Sequence, residues 1–273
     1  MIYENAYGKF NICLSVGART ENGYHLLDSL MQTVSLCDLV SLEKADTVSL
    51  EVKGQRLSCG EDNLAVKAAR LFFRESGVKG GASICLEKHI PQCAGLGGGS
   101  ADGAAVLRGL NRLYGSPFTA ERLEKISLEL GADVPFCLAG GTKRARGIGE
   151  KLSAIKERKL YLVLLCGKER LSTPEMYRAL DNGDNPYPDA EAFFKSWEAD
   201  PDYCLCGNSF LPFAAERDGT VNEHIALLKT QGALYSGISG KGPTVFGIFA
   251  DGEKAAAAAK AVGGIYAESV NKI

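Results

Sequence analysis

Pro91-Gln92-Cys93-Ala94-Gly95-Leu96-Gly97-Gly98-Gly99-Ser100-Ala101-Asp102 puts four glycines into five consecutive positions. Downstream, Gly103-Ala104-Ala105-Val106-Leu107 reads as part of a helix running from Ser100 to about Tyr114. Upstream, the alternation of Ala82-Ser83-Ile84-Cys85-Leu86-Glu87 reads as a strand. Glycines between a strand and a helix leave no Cβ in the way of an anion, so backbone N–H groups can close around it. The free N–H groups of the helix start, and its dipole, add to the hold on a phosphate. The stretch reads as a cradle for a polyphosphate; its plain alternative is a flexible turn without a ligand, which the flanking strand and helix disfavour.

Two better-known phosphate loops are excluded by spacing. The mononucleotide loop requires G-x-x-x-x-G-K-[ST]; Gly240-Lys241 is followed by Gly242 and has Tyr235 where the first glycine belongs. The dinucleotide fingerprint G-x-G-x-x-G is met by Gly95 and Gly97 but finds Ser100 at its third glycine. No acidic residue ends a suitable second strand either.

With 273 residues, 45% hydrophobic and 23% charged, the chain has the make-up of a soluble globular protein with an ample core. A net charge of −2 leaves no basic surplus for nucleic acid or acidic lipid. The one basic cluster, Lys143-Arg144-Ala145-Arg146, reads as a solvated strand face. No apolar stretch reaches membrane-spanning length, and Met1-Ile2-Tyr3-Glu4-Asn5 is not a signal peptide. Nine cysteines, an odd number, lie mostly in apolar contexts, and Cys204-Leu205-Cys206 has the wrong spacing for zinc or a thioredoxin-type pair. They read as reduced thiols of a cytoplasmic protein.

Alternating runs at 9–17 and 30–53 predict strands, with Asn22-Gly23 as a turn between them. A helix is expected after the cap-like Glu61-Asp62-Asn63, and another over Thr119–Leu130 with Gly131 ending it. Asp133-Val134-Pro135 opens a short helix, and Thr142–Leu152 reads as strand and turn. Leu160–Leu165 predicts a buried strand, followed by helices near 173–181, 189–198 and 220–231. Asn182–Pro188 reads as a loop. Ser239-Gly240-Lys241-Gly242-Pro243-Thr244 leads into a strand over Val245–Phe249, with a helix at 253–262 and a strand at 265–270 to finish.

Among residues able to do chemistry, Lys9 and Asn11 lie two apart in an early strand and so share a face. Arg19-Thr20-Glu21-Asn22-Gly23-Tyr24-His25 sets an aromatic ring and an imidazole at a strand edge. Taken singly, Lys9 reads as a solvated lysine and Asp133 as a helix cap. Together with the glycine loop, Glu61-Asp62-Asn63-Leu64, Gly131-Ala132-Asp133-Val134-Pro135-Phe136, Gly147-Ile148-Gly149-Glu150 and Ser239-Gly240-Lys241-Gly242-Pro243-Thr244-Val245-Phe246, they give the chain another reading. Over nearly its whole length it resembles the GHMP small-molecule kinases, the superfamily of galactokinase, homoserine, mevalonate and phosphomevalonate kinases. Within them it is most similar to kinases of the 2-hydroxyl of a cytidine-diphosphate-linked methylerythritol, an intermediate of non-mevalonate isoprenoid synthesis. The glycine loop indicates only the superfamily; Asn22-Gly23-Tyr24-His25 and Gly131–Pro135 are more specific.

That resemblance implies an α+β protein of two domains. Residues 1–152 would form a ribosomal S5 domain 2-like N-terminal domain carrying the loop, and 153–273 a ferredoxin-like C-terminal domain completing a substrate cleft. It implies Asp133 as general base and Lys9 as its cationic partner. Such chemistry suits them: a substrate hydroxyl can lose its proton late in phosphoryl transfer, and a lysine near the γ-phosphate stabilises developing charge. Pro91, Gln92, Cys93, Ala94, Gly95, Leu96, Gly97, Gly98, Gly99, Ser100 and Ala101 would wrap the phosphates of ATP, with Mg²⁺ bridging them and its protein ligands unknown. Asn63 and Lys88 fall where adenosine contacts are found. Tyr24 and Tyr177 would sandwich the cytosine, His25 would hydrogen-bond it, and Asn11 and Thr173 would line the substrate side. The implied partners are a small-molecule substrate and ATP, with neither nucleic acid nor membrane, for a monomer or weak homodimer. A kinase of another small alcohol, of homoserine or mevalonate type, and a silent nucleotide-binding paralogue are the alternatives. Ala101 stands where a second serine is usual, Tyr7-Gly8 where Pro-Ala is, Lys241 in a serine's place, and Ser209 where an aspartate is frequent.

Overall fold

The computed structural model describes residues 1–21, 23–167, 169, 171–183, 188 and 190–273. Asn22 of the expected turn and most of the expected loop up to Pro188 lie outside the described residues. The chain opens with two long antiparallel strands, β1 (Ile2–Arg19) and β2 (His25–Ala45), longer than the alternation predicts. β2 can be long because it serves three neighbours: β1 along its length, β4 (Gly81–Glu87) against 39–45, and β5 (Thr142–Gly147) against 27–32. β3 (Ser49–Lys53) pairs parallel to β4 and β6 (Lys151–Ala154) antiparallel to β5, which completes a six-stranded sheet.

The second sheet has the order β10 (Ile265–Glu268), β7 (Tyr161–Leu165), β9 (Val245–Phe249), β8 (Tyr235–Ile238), antiparallel throughout. Side-chain period decides how it packs. Leu162 and Leu164 of β7, with Phe246 and Ile248 of β9, face Phe10 and Ile12 of β1, Phe193 and Trp197. Val163, Leu165, Val245 and Phe249 point the other way, onto the helices behind the sheet. Covered on both faces, these central strands have to be apolar at every position, as the reading of 160–165 expects.

Helices α1 (Leu64–Ser76), α2 (Gly98–Leu113), α3 (Ala120–Ser127) and α4 (Val134–Ala139) cover one face of the first sheet. α5 (Thr173–Asp181), α6 (Ala190–Ala199), α7 (Leu211–Arg217), α8 (Thr220–Thr230) and α9 (Gly252–Val262) pack around the second. Each fully buried large apolar side chain, Phe136 or Trp197 for example, contributes on the order of 2 kcal/mol of burial free energy. The fold is α+β, as expected.

Several expectations are corrected. α2 begins at Gly98, so two glycines of the loop are helical. α3 stops at Ser127, and turns rather than helix lead to Gly131. α7 and β8 have no counterpart in the sequence reading. Arg144 is not on a solvated face: it is held by Asp28 at 2.6 Å and Glu191 at 2.8 Å and lies 4.0 Å from the centre of the Phe194 ring. No helix among the described residues is long and apolar enough to cross a membrane.

Candidate active site

The glycine loop is pressed between β1 and the second glycine cluster. A Cβ on Gly95 (φ +76°) would stand 2.3 Å from the Ser239 carbonyl oxygen, and one on Gly97 (φ +68°) 2.8 Å from Cγ of Lys9. At these two positions both the left-handed backbone and the close approach demand glycine. The contact is cemented from both sides. Lys9 N–H donates to the Leu96 carbonyl (2.9 Å), and the Ser239 hydroxyl donates to that of Gly95 (2.8 Å) while accepting from Asn11 N–H (3.4 Å). Gly97 caps α2 with no side-chain acceptor, so the first N–H groups of that helix face the loop without an internal partner.

Lys9 threads its stem under Gly97 and ends beside Asp133. Its Nζ is 3.3 Å from Asp133 Oδ2 and 2.9 Å from Asn11 Oδ1. Asn11 donates in turn to the Ser29 hydroxyl (2.7 Å), which donates to the Cys13 carbonyl (2.8 Å). Lys9 and Asn11 do share one face of β1. Asn11, however, spends its amide on Lys9 and Ser29, behind the lysine rather than in the wall of a cavity. Asp133 occupies the N-cap position of α4, yet makes no side-chain cap hydrogen bond. The structure thus removes the plain capping reading: this carboxylate faces an ammonium instead of its own helix.

Below the loop, Lys88 is locked between Asp102 (2.7 Å) and Asp38, all three nearly inaccessible. Asp38 also accepts from the backbone of His89 (2.5 Å) and Ile90 (2.8 Å), which fixes the segment leading into the loop. Burial pushes the Asp102 carboxyl up to about 7, against the pull of the Lys88 ammonium. Its Oδ1 is buried without a hydrogen-bond partner. One lysine is thus set against two carboxylates in a dry site, and burial favours the protonated form of Asp102. Lys88, read from the sequence as an adenosine contact, is committed to this triad.

Two cavities meet at Thr173. One, of about 610 Å³, is lined by Asn63, Lys88, Asp102 and the loop from Pro91 to Ser100. Ala101 alone of the expected phosphate loop is absent from its wall, being packed in the core with its N–H bonded to Gly97 O. Asn63 is at the rim but caps α1, accepting from Ala65 N–H (2.9 Å) and donating to Ser58 O (2.7 Å). The other cavity, of about 550 Å³, gathers Tyr24, His25, Ala132, Thr173, Tyr177, Asp181 and two arginines, Arg19 and Arg178. There the Tyr177 ring lies 5.1 Å from that of His25, tilted 30°, and is backed edge-on by Phe210. Tyr24, 61% exposed, lines the same cavity.

The sequence reading missed Asp38, Asp102 and Asp181. A buried aspartate inside a helix, as Asp102 is in α2, signals a buried cationic partner, but nothing local names it. A larger cleft, about 980 Å³, lies elsewhere, along Lys156–Leu160 and β8. Its Lys156 and Arg158 donate to the carbonyls that end α6, so its basic lining has a structural use. Lys241 reaches the Leu171 carbonyl just ahead of α5, and burial draws its amine below the ordinary lysine range.

This arrangement, a glycine-lined cavity sharing Thr173 with a second cavity, and a lysine–carboxylate pair packed under the glycine loop, is that of a phosphotransferase for a small molecule. The family model for the GHMP kinases N terminal domain matches residues 63–141, and that for the GHMP kinases C terminal matches 220–268. The chain belongs to the GHMP kinases, enzymes that use ATP. It is 41% identical over 258 residues to the 4-diphosphocytidyl-2-C-methyl-D-erythritol kinase of Pelotomaculum thermopropionicum, covering 92% of this chain and 90% of that one. The kinase of the same name from Thermoanaerobacter pseudethanolicus is 36% identical over 267 residues, 91% and 88% of the two chains. A crystal structure of 4-(cytidine 5'-diphospho)-2C-methyl-D-erythritol kinase superposes with a TM-score of 0.85 at 33% identity, over 100% of both chains.

Proposed function

We propose that this chain transfers the γ-phosphoryl group of ATP to the 2-hydroxyl of 4-(cytidine 5'-diphospho)-2-C-methyl-D-erythritol, in isoprenoid synthesis. The observation that carries the reading is the Lys9–Asp133 pair at 3.3 Å, beside the phosphate cradle and one residue from Ala132 in the second cavity. ATP occupies the cavity of the loop, with its phosphates over Gly95–Ser100, and the cytidine handle enters between Tyr24 and Tyr177. Thr173, common to both cavities, stands where the two substrates meet. The acceptor hydroxyl attacks the γ-phosphorus, the bond to the leaving ADP oxygen breaks, and the hydroxyl proton passes to Asp133. Lys9, held by Asn11, stabilises charge on the transferring group.

Mg²⁺ with ATP belongs to this reading. Among the described residues no cluster of three His, Cys, Asp or Glu side chains stands ready as a cage. The donors suit this ion all the same, since Mg²⁺ keeps several waters and takes phosphate oxygens. The Ser100 hydroxyl at the start of α2 is the side chain that would hold it, and the ion would neutralise the β- and γ-phosphates. The boundary between the two proposed domains is best drawn between Ala154, where β6 ends, and Tyr161, where β7 begins.

The test is ATP consumption against a panel of alcohols, with Asp133→Asn alongside. We expect turnover with the cytidylyl methylerythritol, lowered about 10²–10⁴-fold in the variant, the usual contribution of a general base, with ATP affinity kept. Turnover within tenfold of wild type would overturn the role of Asp133. Greater activity on homoserine or mevalonate would overturn the substrate.

A further inference from the structure

We infer that Lys241 is a positioning residue that straps the start of α5 to the phosphate loop, so that a nucleotide in the donor cavity sets Thr173 for the acceptor. The inference rests on the proposed phosphotransfer reading and adds a residue to it. Lys241 stands in the turn Ser239–Gly242, which Gly242 N–H closes on the Ser239 carbonyl (2.8 Å). That turn is seated on the glycine loop. The Ser239 hydroxyl donates to Gly95 O (2.8 Å), and a Cβ on Gly95 would also lie 3.1 Å from the Gly242 carbonyl oxygen. From behind, Asn208 Nδ2 donates to Gly240 O (2.8 Å) and Ile238 O (3.0 Å). The backbone of Lys241 is thereby fixed to the cradle.

Its side chain leaves the turn and ends on the carbonyl of Leu171, a buried residue two ahead of Thr173. The ladder of α5 opens with Met176 N–H on the Ser172 carbonyl (3.0 Å), so the Leu171 carbonyl lies outside the helix and takes its donor from the lysine. Burial draws the amine below the ordinary lysine range, and no carboxylate among the described residues counters that pull. A half-buried cation without a counter-ion costs stability. The serine expected at this place is far too short to reach α5, so the link is what the longer side chain adds. Thr173 lines both cavities, and Tyr177, one turn further on, lines the second. The far end of α5 is already tied to β2, with Asp181 Oδ1 3.0 Å from Nε2 of His25. Lys241 secures the near end, and it does so from the loop that holds the phosphates.

The experiment is calorimetric titration of the full chain with CDP, alone and saturated with ADP, for wild type, Lys241→Met and Lys241→Arg, with thermal midpoints alongside. In wild type ADP should tighten CDP by about fivefold or more, the ordinary range for two coupled sites. Lys241→Met keeps the stem and loses the donor, so the ratio of the two CDP affinities should fall to within about twofold of unity while ADP alone binds as before. Lys241→Arg keeps a charged donor and should retain the coupling. A lysine of merely structural use would lower the thermal midpoint on substitution and leave the ratio at its wild-type value. That result, or a wild type in which ADP leaves CDP affinity unaltered, overturns the inference while the phosphotransfer reading stands. Failure of wild type to bind CDP at all would overturn that reading, and the inference with it.

Discussion

Replacing Gly97 by alanine tests whether the cradle and Lys9 work as one unit. The added Cβ would lie 2.8 Å from Cγ and 3.1 Å from Cε of the lysine, inside the 3.4 Å at which ordinary contact begins. The stem must retreat by about 0.6 Å or more, and its Nζ is then drawn from Asp133 and Asn11. Displacements of about 1 Å at reacting groups cost roughly a hundredfold in rate, so a fall in kcat of about tenfold or more is expected. Holding alanine at φ +68° adds about 1–2 kcal/mol of backbone strain. For a chain of this size that lowers Tm by about 2–8 °C. Gly99→Ala is the control for stability: its Cβ meets only Leu64 Cδ1, at 3.4 Å, on ordinary helical backbone. Alanine is favoured over glycine in a helix by up to about 1 kcal/mol, so Tm should hold or rise. Thermal scans and steady-state kinetics on both variants suffice. A Gly97→Ala enzyme with a lowered Tm but unchanged kcat would refute the coupling, and an equal loss of Tm in Gly99→Ala would refute the steric argument.

Ser239→Ala removes the hydroxyl that ties Asn11 to Gly95, a loss of about 1 kcal/mol that falls on the loop. ADP affinity should drop several-fold while CDP affinity holds; equal affinity for ADP in variant and wild type would show that the brace does not shape the cradle. Asp102→Asn addresses the buried triad through pH. Burial raises the folded-state Asp102 carboxyl to about 7, so the folded chain keeps a proton that the unfolded chain releases near 4. Stability from this group is therefore full below about 4 and is lost as pH rises through 7. Urea midpoints at pH 5 and pH 8 should show wild type losing more than the variant, in which no proton is at stake. Parallel losses would place the titration elsewhere.

How much of this was legible in the sequence depends on whether the cause is local. β7 and β9 were, because strands covered on both faces must be apolar throughout. The full length of β1 and β2 was not. Register shifts between Tyr7 and Lys9 and between Asn11 and Cys13 break the period-2 pattern, so alternation fails within a strand that continues. α7, of seven residues with Pro212 in its first turn, and β8, of four residues including Gly237, are too short to show a period. At the site, glycine spacing announced the cradle and the alternate positions of Lys9 and Asn11 their common face. The ion pairs of Lys88 were not legible, because its partner Asp38 is 50 residues away on β2 and only the assembled sheet brings the two together.

The convergence of Lys9 and Asp133 could come only from resemblance, yet its local trace is physical. An N-cap residue ordinarily has extended backbone and bonds its side chain to the first turn. Asp133 has φ −82°, ψ −17° and no such bond, while Asn63 and Thr119, capping α1 and α3, have both features. The chain therefore forgoes at α4 a cap that is commonly worth about 1 kcal/mol. His25 is placed by a comparable exception, with one nitrogen on β1 and the other on a carboxylate from α5 rather than both in water. Where a residue fit for a local task is withheld from it and aimed at an opposite charge across the fold, stability has been exchanged for chemistry. Both exceptions border the second cavity, which His25 lines and whose wall includes Ala132, the residue before Asp133.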